Sequence, residues 1–258
     1  MEIQAKGLRA VVTAGAAGIG RAIAETLLAA GARVHVCDVS AAALDSFAAA
    51  NPSAGASQAD VSNPAQVDRF FESAARAFGG LDLLVNNAGI AGPTGRVEEL
   101  EPAEWERTLA VNINGQFYCT HRAVPLLKQA GGGSIVNISS AAGKFGFPLR
   151  SPYAASKWAI VGFTQSLAIE LGPSNIRVNA ILPGVVEGER IDRVVEAKAA
   201  ALGVTEDEMR ARMLNNVSLK CMVGAQDIAN MVLFLVSPAG QRISGQSLSV
   251  DGHLTCLS

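Results

Sequence analysis

The sequence predicts an α/β fold in a single domain: a doubly wound, mostly parallel sheet of about seven strands with helices on both faces. Three observations carry that expectation. Short apolar segments alternate with helical stretches along the chain, a glycine-rich turn joins the first strand to the first helix, and no linker, repeat or low-complexity block divides the 258 residues. That length suits one large domain, taken as residues 1–258.

Leu8–Thr13 reads as the first strand, followed by a helix over Arg21–Ala30 that stops at Gly31. Arg33–Val39, rich in β-branched residues, is the second strand. A third around Ala56–Asp60 is weak by propensity and rests on its context. Leu81–Asn86 and Ser134–Ser139 are the fourth and fifth, with one long helical stretch, Glu104–Leu127, between them. A helix over Ser156–Leu171 ends at Gly172-Pro173. Arg177–Leu182 and Ser247–Val250 complete the sheet.

Composition narrows the function. Apolar residues make up 49% of the chain, charged residues 17%, and the net charge is −2. Nucleic-acid binders carry basic patches, so this balance gives no reason to expect one. No apolar run reaches the roughly 18–20 residues that cross a bilayer. The start, Met1-Glu2-Ile3-Gln4, lacks the basic-then-apolar layout of a signal peptide. Cys37, Cys119, Cys221 and Cys256 are scattered without a C-x-x-C pair, so no metal site or disulfide frame is expected. Free thiols suit a reducing compartment, and the expectation is a cytoplasmic protein.

The strongest chemical signal is Tyr153 with Lys157, thirteen and seventeen residues after Ser140. Four-residue spacing puts phenol and ammonium on one helix face. A cation beside a phenol favours the phenolate, which fits Tyr153 for acid/base work. The bland alternative is a solvated tyrosine beside a helix lysine. Upstream, Thr13-Ala14-Gly15-Ala16-Ala17-Gly18-Ile19-Gly20 opens into a helix. Glycines there permit a tight turn and close backbone approach to a pyrophosphate, which the helix N-terminus attracts. Asp38, at the end of the second strand, can accept from ribose hydroxyls and repel a 2′-phosphate. With no basic residue at Ala16, Ala17 or Val39, the cofactor expected is NAD. The alternative for Asp38 is a strand-end turn residue.

In these motifs the chain resembles the short-chain dehydrogenase/reductase family, over nearly its whole length. The family fold is Rossmann-like. Its turn, T-G-x-x-x-G-x-G, aligns with Gly18 and Gly20 but meets Ala14 where it has its first glycine. A methyl group there is acceptable only with a negative φ at Ala14. The resemblance implies cofactor contacts at Ala14, Gly15, Gly18, Ile19, Gly20 and Asp38, with Asp60 and Val61 against the adenine. It further implies Asn87, Ala88 and Gly89 beside the cofactor, Tyr153 and Lys157 at the nicotinamide ribose, and Pro183, Gly184 and Val186 at the carboxamide. Gly188 stands where the family often has threonine. The implied catalytic set is Asn112, Ser140, Tyr153 and Lys157: Ser140 on the substrate oxygen, and Asn112 opening its helix to hold a proton-relay water. Asn114 is the other candidate for that last role, and a strand-end hydroxyl bonded to backbone is the alternative for Ser140. No metal is required. Pairing of long helices and of C-terminal strands, as in the family, implies a homotetramer.

The segment 187–219 is the most charged of the chain, and by resemblance it closes over the substrate. Thr205-Glu206-Asp207-Glu208 fits a capping box, starting a helix that carries Met209 and Met213. Glu187, Glu189, Arg190 and Arg193 either contact a polar substrate or form a solvated face. Lys144 and Arg150, between Ser140 and Tyr153, tilt the expectation towards a polar or anionic group. His35, His121 and His253 read as structural or surface residues. The function expected is NAD-linked hydride transfer with a secondary alcohol such as a polyol, sugar or hydroxy acid. The alternatives are a ketone or 3-oxoacyl thioester reductase, and a non-catalytic nucleotide-binding protein.

Overall fold

The apolar β-branched runs form the centre of a seven-stranded parallel sheet, as expected of strands buried on both faces. The computed structural model describes residues 4–257. In chain order the strands are β1 Arg9–Thr13, β2 Arg33–Asp38, β3 Gly55–Gln58, β4 Leu83–Asn86, β5 Gly133–Ile138, β6 Ile176–Pro183 and β7 Ser247–Val250. They lie side by side in the order β3-β2-β1-β4-β5-β6-β7, every pair parallel. After β3 the chain crosses back to place β4 beside β1, so a crevice opens at the C-terminal ends of those two strands.

Nine helices connect them among the described residues: α1 Gly18–Ala29, α2 Ala41–Ala50, α3 Pro64–Phe78, α4 Pro102–Leu109, α5 Gly115–Gln129, α6 Ser151–Leu171, α7 Glu189–Leu202, α8 Glu206–Asn215 and α9 Ala225–Val236. One core layer joins the sheet to α1, α2 and α9 through Ile23, Leu27, Phe47, Val232 and Leu235. The opposite layer joins it to α3, α5 and α6 through Phe70, Phe71, Leu127 and Leu167. No described helix is long and apolar enough to cross a membrane.

Several boundaries depart from expectation for readable reasons. Helix α1 starts at Gly18 rather than Arg21, because the glycine turn is itself its first turn. Strand β4 starts at Leu83 rather than Leu81: the Asp82 carboxylate is bonded to the Arg9 backbone N–H at 2.9 Å and to its guanidinium at 2.7 Å. The single helix expected over Glu104–Leu127 is α4 and α5 joined by a π turn at Ala110–Asn114, where the Gly115 N–H bonds back to Ala110. Helix α6 begins at Ser151, not Ser156, with Pro152 in its first turn where a proline costs nothing. Helices α2 and α3 were marked by caps that the strand pattern overshadowed, Ser40 and Asn63-Pro64.

The 187–219 segment is two helices around a small core of their own, Val194, Val195, Ala199, Met209 and Met213 with Val185. Thr205 and Glu208 form the capping box, the Glu208 N–H donating to Thr205 Oγ1 at 3.2 Å. Gly188 precedes α7 at φ +127°, a region threonine avoids, so the departure from the family pattern follows from the backbone.

Ala14 does not keep a negative φ; it lies at +46°. The close packing of the turn dictates this: a Cβ on Gly20 would collide with the Ala14 carbonyl, which fixes where that carbonyl points. An L-residue in the left-handed region costs roughly 1–2 kcal/mol. Against this, glycine adds unfolded-state freedom worth about 0.4–1 kcal/mol. Ala14→Gly is therefore expected to stabilise the protein by about 0.5–1 kcal/mol, raising Tm by a few degrees. Thermal and urea melts check this, and an unchanged or lowered midpoint would refute the strain.

Candidate active site

All the chemistry gathers at the C-terminal edge of the sheet, around a cleft of about 650 Å³. β5 ends at Ile138, and the next two serines point opposite ways, as alternation requires. Ser139 is buried and its Oγ donates to the Lys157 carbonyl at 2.8 Å. Ser140 faces the cleft, its Oγ accepting from the Ala142 N–H at 3.2 Å.

In α6, Tyr153 and Lys157 stand one turn apart, both on the cleft wall, with Lys157 Nζ 5.6 Å from the phenol ring centre. Lys157 is buried and donates to the Ile138 carbonyl at 3.0 Å. Burial, and secondly the Arg190 charge, push its pKa down to about 7. Gly89 allows this packing, since a Cβ there would lie 3.2 Å from Asn112 Oδ1 and 3.5 Å from Lys157 Nζ.

Asn112 sits in the π turn, fully buried and outside the cleft. Its amide clamps the loop after β4: Oδ1 accepts from the Ile90 N–H at 2.8 Å, and Nδ2 donates to the Ile90 carbonyl at 3.1 Å. Nδ2 also donates to Ser156 Oγ at 3.0 Å, and Ser156 donates to the Tyr153 carbonyl at 2.7 Å. A π turn shifts helical bonds to i−5 and often marks a functional site. Asn114, in the same turn, is not buried.

The other half of the cleft fits a dinucleotide. The N-cap of α1, Ala17, makes no side-chain cap, so the first N–H groups of the helix remain for a ligand. Gly18, at φ +51°, has open space where a Cβ would stand. Asp38 reaches the cleft from the end of β2, one oxygen accepting from the Ser40 N–H at 3.1 Å and the other from the Ala16 N–H at 3.4 Å. Val186 pairs with Val223 through the residues on either side of it, so its own N–H and C=O face away from that pairing. Ala14, Ile19, Asn87, Gly89, Pro183 and Gly184 share the lining.

Gly15, Gly20, Asp60, Val61 and Ala88 lie behind it. Gly15 packs on Val36 and Gly20 on Ala14. Asp60 accepts from the Ser62 hydroxyl at 2.7 Å, Val61 packs on Gly115, and the Ala88 N–H donates to Thr13 Oγ1 at 3.0 Å.

Several contacts on this wall are not predicted from sequence, though Arg190 is read there as a candidate substrate contact. Thr13 Oγ1 also accepts from the Asn87 N–H, and Ser156 links the Asn112 clamp to the tyrosine's turn. Arg190 of α7 donates to the Gly89 carbonyl at 2.7 Å, latching the charged segment over the cofactor side. The C-terminal stretch, Leu254, Cys256 and Leu257, forms another wall. It is strapped to Val217 by an antiparallel bridge and to Asn216 through the Thr255 N–H at 2.9 Å. Nothing in so short a tail signals that position. Lys144 turns away from the substrate side and pairs with Asp251 at 2.8 Å. Of the three histidines, His35 is structural: it is buried between Phe70 and Phe78, and burial lowers its pKa to about 4. Among the described residues no cluster could hold a metal.

The family model described as enoyl-(acyl carrier protein) reductase matches residues 14–255. The chain is 33% identical over 254 residues to D-beta-hydroxybutyrate dehydrogenase of Rhizobium meliloti, covering 95% of this chain and 98% of the relative. It is 37% identical over 249 residues to galactitol 2-dehydrogenase of Agrobacterium fabrum, covering 94% and 95%. Among solved structures, levodione reductase superposes with a TM-score of 0.90 at 30% identity, covering 97% of this chain and 98% of that one. With the Ser140, Tyr153 and Lys157 geometry and the dinucleotide crevice on one cleft, the chain belongs to the short-chain dehydrogenase/reductase family of oxidoreductases, which bind a nicotinamide cofactor.

Proposed function

We propose that the protein is an NAD-dependent dehydrogenase of secondary alcohols, with Tyr153 as acid/base. The observation that carries this is Tyr153, Ser140 and Lys157 on one wall of a cleft whose far end holds Asp38. Ser140 holds the carbinol oxygen, and Tyr153, as phenolate, accepts its proton. The nicotinamide, when bound, supplies the hydride acceptor. Buried Lys157, its Nζ 5.6 Å from the Tyr153 ring centre, is the cation set one helical turn along from the phenol. Asn112 holds the π turn open against Ile90, which suits the water relay beyond Lys157. Asp38 takes the ribose hydroxyls and repels a 2′-phosphate. That choice favours oxidation over the alternative, reduction of a 3-oxoacyl thioester, because biosynthetic reduction usually draws on NADPH.

In this reading the chain works in the cytoplasm as a single catalytic domain and assembles as a homotetramer. Half-exposed Phe117 on α5 and Trp158 on α6, with Ile169 80% exposed, support pairing through those helices. Light scattering tests the assembly, and a monomer at micromolar concentration would count against it.

The 187–219 segment acts as the lid. Its separate core lets α7 and α8 move as one unit, and Arg190 ties it to Gly89. Amide hydrogen exchange in α7 and α8 is expected to slow when cofactor and substrate bind. Protection equal to that of the sheet in the free protein would remove the lid.

Tyr153→Phe removes one oxygen and keeps the ring. It is expected to retain NAD binding and to lose nearly all turnover. A rate within about tenfold of wild type, equivalent to roughly 1.4 kcal/mol, would end the acid/base assignment.

Asp38→Ser is expected to lower kcat/KM with NAD and raise it, relative to NAD, with NADP. Measuring both cofactors on both proteins decides this, and a wild type that prefers NADP would contradict it.

A further inference from the structure

Arg150 is the largest fully buried side chain described, 2% exposed, on the cleft wall three residues before Tyr153. Its guanidinium lies 5.3 Å from the Tyr153 ring centre and 5.5 Å from that of Phe147. One nitrogen, Nη2, donates to the Ala91 carbonyl at 2.7 Å. Nε is buried with no hydrogen-bond partner, and no ion pair among the described residues includes Arg150.

Further cations stand near it. Arg190 and Arg193 line the same cleft, and the Lys198 ammonium lies 4.5 Å from the centre of the Phe147 ring that Arg150 also faces. Burial lowers the pKa of both Arg150 and Lys198; for Arg150 the Tyr153 hydroxyl opposes this and the Arg190 charge adds to it, and for Lys198 the Arg150 charge adds to it. The acids on the cleft, Glu187 and Glu189, sit on its exposed rim, and Asp38 is committed at the nucleotide end. A buried, unpaired cation is costly, and structures retain one where something pairs with it. A guanidinium fork matches a carboxylate better than any neutral hydroxyl.

We propose that the substrate is a hydroxy acid, its carboxylate received by Arg150 while its carbinol oxygen lies against Ser140 and Tyr153. This rests on the alcohol-oxidation reading and narrows its substrate. With a nicotinamide bound as the two-electron acceptor, the carbinol carbon would give up hydride, its hydroxyl proton would go to Tyr153, and the carboxylate would leave unchanged on the resulting keto acid. Neutral polyols leave Arg150 unpaired and so are poor substrates.

The test pairs hydroxy acids, the carboxylate one to three carbons from the carbinol, with their own primary amides. Each pair differs in charge and hardly in shape. Wild-type kcat/KM is expected to favour the acid at least tenfold in the best pair, and acid with NAD is expected to raise Tm more than amide with NAD. In Arg150→Met the acid-to-amide ratio falls towards one, and Arg150→Lys, which keeps the charge, restores part of it. Acids no better than amides in both turnover and thermal protection, or a ratio unchanged in Arg150→Met, overturns the proposal. Turnover of neutral alcohols with NAD alongside that result would leave the dehydrogenase reading standing. Loss of NAD binding altogether would instead remove that reading, while the wild-type thermal shift by acid alone against amide alone still decides the role of Arg150.

Discussion

The site depends on a single constraint: the crevice between β1 and β4 must stay open at the sheet's C-terminal edge while its two loops touch behind it. Thr13, the last residue of β1, accepts from the Asn87 and Ala88 N–H groups after β4. Asn87 Nδ2 returns two bonds, to the carbonyls of Thr13 and Ala14. These bonds are buried or nearly so, where a missing partner costs more than a bond made contributes. They set the entry of α1, the place of Gly89 and, through Gly89, the room for Lys157. The positive φ of Ala14 belongs to the same knot: strain is tolerated where the surroundings over-determine the backbone.

The catalytic half hangs from a second set of bonds that runs through the main chain. Lys157 reaches the carbonyl of Ile138, Ser139 reaches the carbonyl of Lys157, and Asn112 reaches Ile90 and Ser156. The end of β5, the first turns of α6 and the π turn are thereby fixed to one another. Preorganisation of this kind draws on residues that lie outside the cleft as well as on its wall. Asn112 shows it best. It lies outside the cleft, and its influence passes through Ser156 to the turn that carries Tyr153.

Much of this was legible in the sequence because local rules carried it. Short apolar runs placed six of the seven strands to within a few residues, Ser247–Val250 to the residue, and context placed the weak third. Four-residue spacing brought Tyr153 and Lys157 to one face, and alternation separated Ser139 from Ser140. The Thr205 capping box marked α8. What stayed hidden depends on contacts distant in sequence. The sign of φ at Ala14 follows from Gly20 and β4, and Lys144 turns away because Asp251, 107 residues later, holds it. The C-terminal strap has no periodicity to read. The early start of α6 is legible in Pro152, which suits the first turn of a helix.

Charge divides the cleft in a way that neither half alone explains. A carboxylate, Asp38, stands at the end of the cleft beside the glycine turn, and Lys157, Arg150, Arg190 and Arg193 gather at the other. Opposite charges that far apart do little for each other in water, but each acts strongly on what enters beside it. Arg190 also bears on Lys157, since its charge adds to the burial that lowers the lysine's pKa. The latch of α7 onto Gly89 therefore tightens the wall and loosens the lysine's proton together. An anion arriving between these cations offsets both effects: it pairs with the guanidinium groups and makes the protonated lysine less costly. A neutral ligand fills the same volume and leaves that electrostatic cost in place. The cationic end of the cleft is thus suited to a substrate that brings its own negative charge.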